Sequence, residues 1–169
     1  MKEIHADHDF APVVDENTRI LILGTFPSVK SRESNFYYGH PQNRFWKLLA
    51  RIFSCPVPQT VEEKKWMLLS HHTGIWDVIE SCDIIGSSDS SIKNVVPADI
   101  QGLLQRFGIQ AVFANGRLAE KLYKKYIFSE TGVPIHPLPS TSPANAAYSL
   151  ERLYEQWSQI LTFLDEGGV

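Results

Sequence analysis

The chain is 169 residues long, 43% hydrophobic, with a formal net charge of -3. That length fits one domain around a single sizeable core, and the mild acidity argues against a generic nucleic-acid coat protein. No apolar run reaches the ~18 residues of a membrane span, and two cysteines, Cys55 and Cys82, exclude a disulfide framework or a four-cysteine cluster.

Residues 1–18 carry His5, Asp7, His8, Asp9, Asp15 and Glu16 with no steady period. They read as a surface-hugging or loose lead-in, not a signal peptide, before a single domain over 19–169. The expected location is cytoplasmic, with reduced thiols. "RILILGTFPS" is a continuous apolar run ended by Gly24 and Pro27, as in a strand buried on both faces. The loop 25–42 follows, with Phe36, Tyr37 and Tyr38 where polar residues are usual. Phe45, Leu48, Leu49, Ile52 and Phe53 then repeat at helical spacing. Thr60 and Glu63 form a capping-box signature for a helix stopped by Gly74. "GIWDVIES" reads as a short strand and "GSSDSSIKN" as a loop. "ADIQGLLQRFG" is a helix, "IQAVFANG" a second buried strand, and Gly116 opens the helix "RLAEKLYKKYI". "VPIHPLPS", interrupted by prolines, is an edge strand. The last helix starts at Ser142 as cap with Pro143 first inside, and Ala147, Leu150, Tyr154, Trp157, Leu161 and Leu164 form its seam.

Alternating strands and helices predict an α/β sandwich on a parallel sheet. Ligands of such sheets bind outside the carboxyl ends of the strands. Three loops leave those ends, "GTFPS" with the aromatic stretch, "NGR" and "LPSTSPAN", and are expected to meet in space. Between Thr25 and Pro58, Lys30, Arg32, Arg44, Lys47 and Arg51 face Glu33 alone. That is either chance scatter or a local anion-binding face.

In this order, "GTFPS", "FYYGHPQNRFW", "GSSDSSI" and "LPSTSPAN" resemble the uracil-DNA glycosylase superfamily over about residues 19–165. The aromatic-G/A-H-P-x-N-R-F-W pattern is shared with its mismatch-specific, thymine-DNA-glycosylase-like branch. The combination is most like the hypoxanthine-DNA (deoxyinosine) glycosylase branch. The resemblance implies a three-layer α/β/α sandwich with a central, mostly parallel four-stranded sheet. It also implies a monofunctional glycosylase of base excision repair, which hydrolyses the N-glycosidic bond of a deaminated base, hypoxanthine or uracil, flipped out of DNA. No metal or other cofactor is implied, the partner is DNA, and the expected state is a monomer without membrane attachment.

An everted base has lost its stacking neighbours, and an aromatic ring replaces one of them at roughly 1–3 kcal/mol. Tyr38 aligns with the aromatic that the related branch stacks on its base; Phe36 and Tyr37 either wall the pocket or belong to the core. Asn43 is by type a helix N-cap, and by resemblance the catalytic residue, its amide oxygen accepting from the attacking water. The resemblance extends base contacts to Thr25, Phe26, Asn115 and His40, with backbone N–H groups near Thr25, Phe26 and Ser140 stabilising the departing base. It extends DNA contacts to Ser28, Lys30, Arg44, Ser140, Thr141 and Ser142. Each has a plainer reading: Asn115 as a turn residue before glycine, Ser142 as a helix cap, His40 as a loop brace before Pro41. Asp77 and Asp89 either position a neighbour or the water, or bond to local backbone. His71 and His72, adjacent on a helix, make a poor metal pair.

Two departures stand out. Most branches carry Asp or Asn where this chain has Phe26, and several carry His or Asn where it has Leu138. Phe26 motivates an alternative, a noncatalytic nucleic-acid-binding module on the same fold. A serine hydrolase using His136 and Ser140 lacks a G-x-S-x-G elbow.

Overall fold

The computed structural model describes residues 2–165, so the last four residues of the expected domain lie outside the described residues. In chain order the elements are β1 (Glu3–Asp7), β2 (Ile20–Gly24), α1 (Val29–Ser34), α2 (Phe45–Ile52), α3 (Val61–Ser70), β3 (Thr73–Asp77), β4 (Ile79–Ile85), β5 (Lys93–Pro97), α4 (Ile100–Arg106), β6 (Ala111–Asn115), α5 (Arg117–Tyr126), α6 (Phe128–Thr131), β7 (Ile135–Leu138), α7 (Leu150–Trp157) and α8 (Ile160–Asp165).

The two all-apolar runs take the two central places in a four-stranded sheet of order β3-β2-β6-β7, every neighbouring pair parallel. Side chains alternate across a strand, so Ile20 and Ile22 point to one face and Leu21 and Leu23 to the other, all four fully buried. The first face is covered by α2, α3, α7 and α8 through Phe45, Leu48, Leu68, Leu153, Trp157 and Ile160. The second is covered by α4 and α5 through Ile100, Leu103, Ala119, Leu122 and Tyr123. The result is the expected three-layer α/β/α sandwich, with the proline-bearing β7 on the edge.

Four readings are corrected. The lead-in is not loose: Glu3–Asp7 pairs antiparallel with β4, from Glu3↔Ile85 to Asp7↔Ser81. With β5 on the far side of β4, this makes a second, three-stranded sheet. "GIWDVIES" is accordingly two strands in two sheets, hinged at Val78, whose N–H donates to the Gly24 carbonyl. The helix α3 stops at Ser70, four residues before Gly74, and His72 turns the chain with φ 57°. The expected last helix is two: α7 begins at Leu150 under Ser149, which accepts from the Arg152 N–H, and α8 follows from Ile160, while Ser142 and Pro143 lie in the preceding loop. The buried seam is Leu153 and Trp157 on α7 and Ile160 and Leu164 on α8, while Ala147 is exposed.

Candidate active site

The parallel sheet brings the carboxyl ends of its strands to one edge, and a cavity of about 450 Å³ opens there. Gly24, Asp77 and Asn115, the last residues of β2, β3 and β6, line it together with Thr25, Phe26, Ser28, Tyr38, His40, Asn43 and the loop 140–144. The three loops expected to meet therefore do so.

The aromatic loop divides its labour. Phe36 stacks on Trp46 and is 7% exposed; Tyr37 is 2% exposed and donates its hydroxyl to the Ala11 carbonyl at 2.7 Å. Both serve the core, although Tyr37 also reaches the cavity wall. Tyr38 stands differently. Its φ of 52° is left-handed, which costs a bulky side chain energy and marks a position held by its surroundings. Its ring stacks on Phe45 at 3.9 Å and 19°, and it lines the cavity beyond. Its hydroxyl is buried without a hydrogen-bond partner. Burial, and secondly the Asp77 charge, hold that phenol well above its ordinary range, so it stays protonated.

A relay of side chains fixes Asn43. The Asn115 Oδ1 accepts from the Thr141 N–H and its Nδ2 donates to Thr141 Oγ1, both at 3.0 Å. Having accepted that hydrogen bond, Thr141 Oγ1 donates its own proton to a bond with Asn43 Oδ1 at 2.9 Å. The same oxygen takes the Phe45 N–H at 3.0 Å. A carbonyl oxygen has two lone pairs, so Oδ1 is fully engaged. Asn43 Nδ2, with no hydrogen bond among the described residues, is the group left for the cavity. The expected acceptor role for the Asn43 oxygen is corrected accordingly: that oxygen is already taken by Thr141 and Phe45, and Nδ2 is the polar atom Asn43 has free. Its capping role is also present, one residue ahead of the helix boundary at Arg44.

Other assignments change for the same reason. Thr141 is fully buried in this relay and cannot reach a phosphate. Asn115 is 8% exposed and spends most of its amide on Thr141, not on a turn. Arg44 is half-buried, and its guanidinium donates to the Thr141, Ser142, Asn145 and Tyr148 carbonyls. It clamps the loop 141–148, satisfying carbonyls that no helix takes up. Ser28 caps α1 by accepting from the Ser31 N–H, and lines the cavity. His40 Nδ1 accepts from the Gln42 N–H, bracing its own loop at the cavity rim. Ser140 Oγ accepts from the Ser142 N–H, and Ser142 Oγ from the Ala144 N–H. Lys30 is exposed and pairs with Glu33 at 3.8 Å, outside the cavity lining. Asp89 is exposed at the rim.

One pair escaped the sequence reading. His8 Nε2 donates to Asp77 Oδ2 at 2.7 Å, with side chains 3% and 5% exposed. A carboxylate only accepts, so Nε2 carries the proton, and His8 Nδ1 is buried without a partner. Asp77 had a visible signal, an acid at the end of an apolar strand, as Asn115 is an amide there. His8 had none, because it arrives by pairing between elements almost seventy residues apart.

The parallel α/β/α sandwich and this polar cavity at its strand ends define a ligand-binding enzyme architecture. The family model of the uracil DNA glycosylase superfamily matches residues 11–162, and the chain belongs to that family of DNA glycosylases. It is 35% identical over 153 residues to a Methanosarcina acetivorans protein named hypoxanthine DNA glycosylase, covering 89% of this chain and 95% of the relative. A Methanosarcina barkeri protein of the same name is 40% identical over 86 residues, about half of each chain. The solution NMR structure of a candidate uracil DNA glycosylase from Methanosarcina acetivorans superposes with a TM-score of 0.79 at 34% identity, covering 93% of this chain and 97% of that one. Among the described residues no helix is long and apolar enough to cross a membrane.

Proposed function

We propose that this glycosylase hydrolyses the N-glycosidic bond of a deaminated base everted from DNA, hypoxanthine first and uracil second, and leaves an abasic site. The observation that carries this reading is that the Tyr38 ring and the Asn43 amide line one open cavity at the strand ends. The relatives' names favour hypoxanthine.

The base enters with its sugar at the mouth and stacks on the Tyr38 ring, which Phe45 backs. Asn43 Nδ2 donates to a water below the anomeric carbon and so sets the direction of that water's free lone pair. The C1′–N bond breaks with its electron pair going to the base, and the water oxygen bonds to C1′. The water gives up one proton, to the departing base nitrogen or to solvent. A sugar cation of oxocarbenium character needs a well-placed water more than a strong base. The backbone around Thr25, Phe26 and Ser140 faces the charge developing on the base. Among the described residues no lysine lines the cavity to form a Schiff base, which favours simple hydrolysis without strand cleavage. Lys30 and the Ser140 and Ser142 hydroxyls serve the flanking phosphates, with a single copy of the chain per lesion.

The test is a set of duplexes with one hypoxanthine, uracil, xanthine or mismatched thymine, incubated with protein and then with hot alkali. Strand breaks should appear at hypoxanthine, and Asn43→Ala should slow them by roughly 100-fold or more while still binding DNA. A folded, DNA-binding protein that leaves every duplex intact would refute the proposal.

A further inference from the structure

Asp77 takes no part in the water-positioning relay, yet its carboxylate is 5% exposed and lines the cavity. Oδ2 is held by His8. Oδ1 makes no hydrogen bond among the described residues. Gly24 makes room for it: a Cβ at that position would stand 2.5 Å from Asp77 Oδ1 and 3.0 Å from Tyr38 Oη. The glycine thus lets an oriented acceptor come up against the floor of the cavity, at the carboxyl ends of β2 and β3.

Depth decides what this acceptor meets. An everted nucleotide is tethered by its sugar at the mouth, so the edge farthest from the glycosidic bond goes deepest. In purines and pyrimidines that is the Watson–Crick edge. Adenine N1 and cytosine N3 are acceptors; deamination gives hypoxanthine and uracil, where the same ring nitrogen carries a proton beside a new carbonyl. A carboxylate is an acceptor only. It bonds to the ring N–H and repels the lone pair of the undamaged base.

The geometry points to Asp77 as the specificity-determining residue that reads this proton, with His8 as the positioning residue that fixes the carboxylate. The inference rests on the glycosylase reading above and adds the contact that separates damaged from parent bases. Guanine and thymine carry the same N–H, so their rejection rests on other contacts. β1, which lies outside the family match at 11–162, leads directly into His8, which sits in an aromatic nest with Phe10, Phe26 and Tyr37.

The experiment compares duplexes bearing hypoxanthine and N1-methylhypoxanthine, which lacks the proton. The wild type should favour hypoxanthine in kcat/KM by roughly 10- to 100-fold, the range for a charge-assisted hydrogen bond. Asp77→Ala should bring that ratio to within about threefold. His8→Ala should lower it partway and His8→Gln, whose amide N–H can replace Nε2–H, should restore it. An unchanged ratio in Asp77→Ala, or an equal loss on both substrates, would overturn the inference and leave the glycosylase reading standing. A wild type that releases no deaminated base would overturn both. A measurement without variants guards against misfolding: free hypoxanthine should inhibit the wild type, and free 1-methylhypoxanthine should not. Equal inhibition by the two would count against Asp77.

Discussion

Replacing Thr141 by valine removes one oxygen from the fully buried centre of the site with little change of shape. The hydroxyl makes two hydrogen bonds, from Asn115 Nδ2 at 3.0 Å and to Asn43 Oδ1 at 2.9 Å. Two neutral bonds contribute about 1 kcal/mol each, and the Asn115 N–H left unpaired adds a desolvation penalty, so Thr141→Val should cost about 2–4 kcal/mol of stability. The larger effect should be kinetic. Asn43 keeps only the Phe45 N–H as an anchor, and its amide can swing about the side-chain bonds. A misplacement of about 1 Å can cost 100-fold in rate, so single-turnover base release should fall by roughly 10- to 100-fold. Asn43→Ala added to Thr141→Val should then cost less than it does alone, since the two act through one group. Urea unfolding and single-turnover excision on one hypoxanthine duplex measure both quantities. A variant destabilised as expected but excising at the wild-type rate would refute the claim that Thr141 orients Asn43.

Gly24→Ala should drive a methyl group against Asp77 Oδ1 and Tyr38 Oη; base release should fall at least tenfold while circular dichroism stays that of the folded chain, and wild-type turnover would contradict the packing at the cavity floor. Arg44→Met should free the loop 141–148 and speed its proteolysis, yet leave the salt dependence of binding to undamaged duplex unchanged, because the guanidinium is spent on carbonyls; a slope shallower by about one would restore Arg44 as a phosphate contact. At the β1–β4 junction, Asn94 and then His5 hold the Asp83 carboxyl below its ordinary value, and Asp83 holds exposed His5 above 6.5. The Asp83 contribution is lost as pH falls through its lowered value, and the His5 contribution as pH rises through its raised one. The stability difference between wild type and His5→Gln should therefore peak between them, and a difference that does not vary with pH would contradict the pairing.

Legibility in the sequence followed the physics of each signal. The strands β2 and β6 could be read because burial on both faces demands an unbroken apolar run, and the sheet's polarity then placed the site at their carboxyl ends. Tyr38 and Asn43 were named by a motif, and both line the cavity, but no motif says which atom of an amide is free. That depended on Thr141, almost a hundred residues away. The second sheet was hidden because Glu3–Asp7 is mostly exposed and its alternation rests on Ile4 and Ala6 alone, too short a pattern to stand out as a strand. The last helix was started too early because Ser142-Pro143 has the composition of a helix start. Arg44 instead holds the carbonyls of that loop in place, and Ser149 makes the cap. Arg44 was expected at a phosphate because its charge is visible in sequence, whereas its carbonyl partners are not.

A crystal structure of Asn43→Ala with a duplex carrying a single hypoxanthine puts the whole mechanism in one image. The base should lie outside the helix stack with its face on the Tyr38 ring and its N1 within hydrogen-bonding distance of Asp77 Oδ1. A base still stacked in the duplex, or bound on another face of the protein with the strand-end cavity empty, would contradict it.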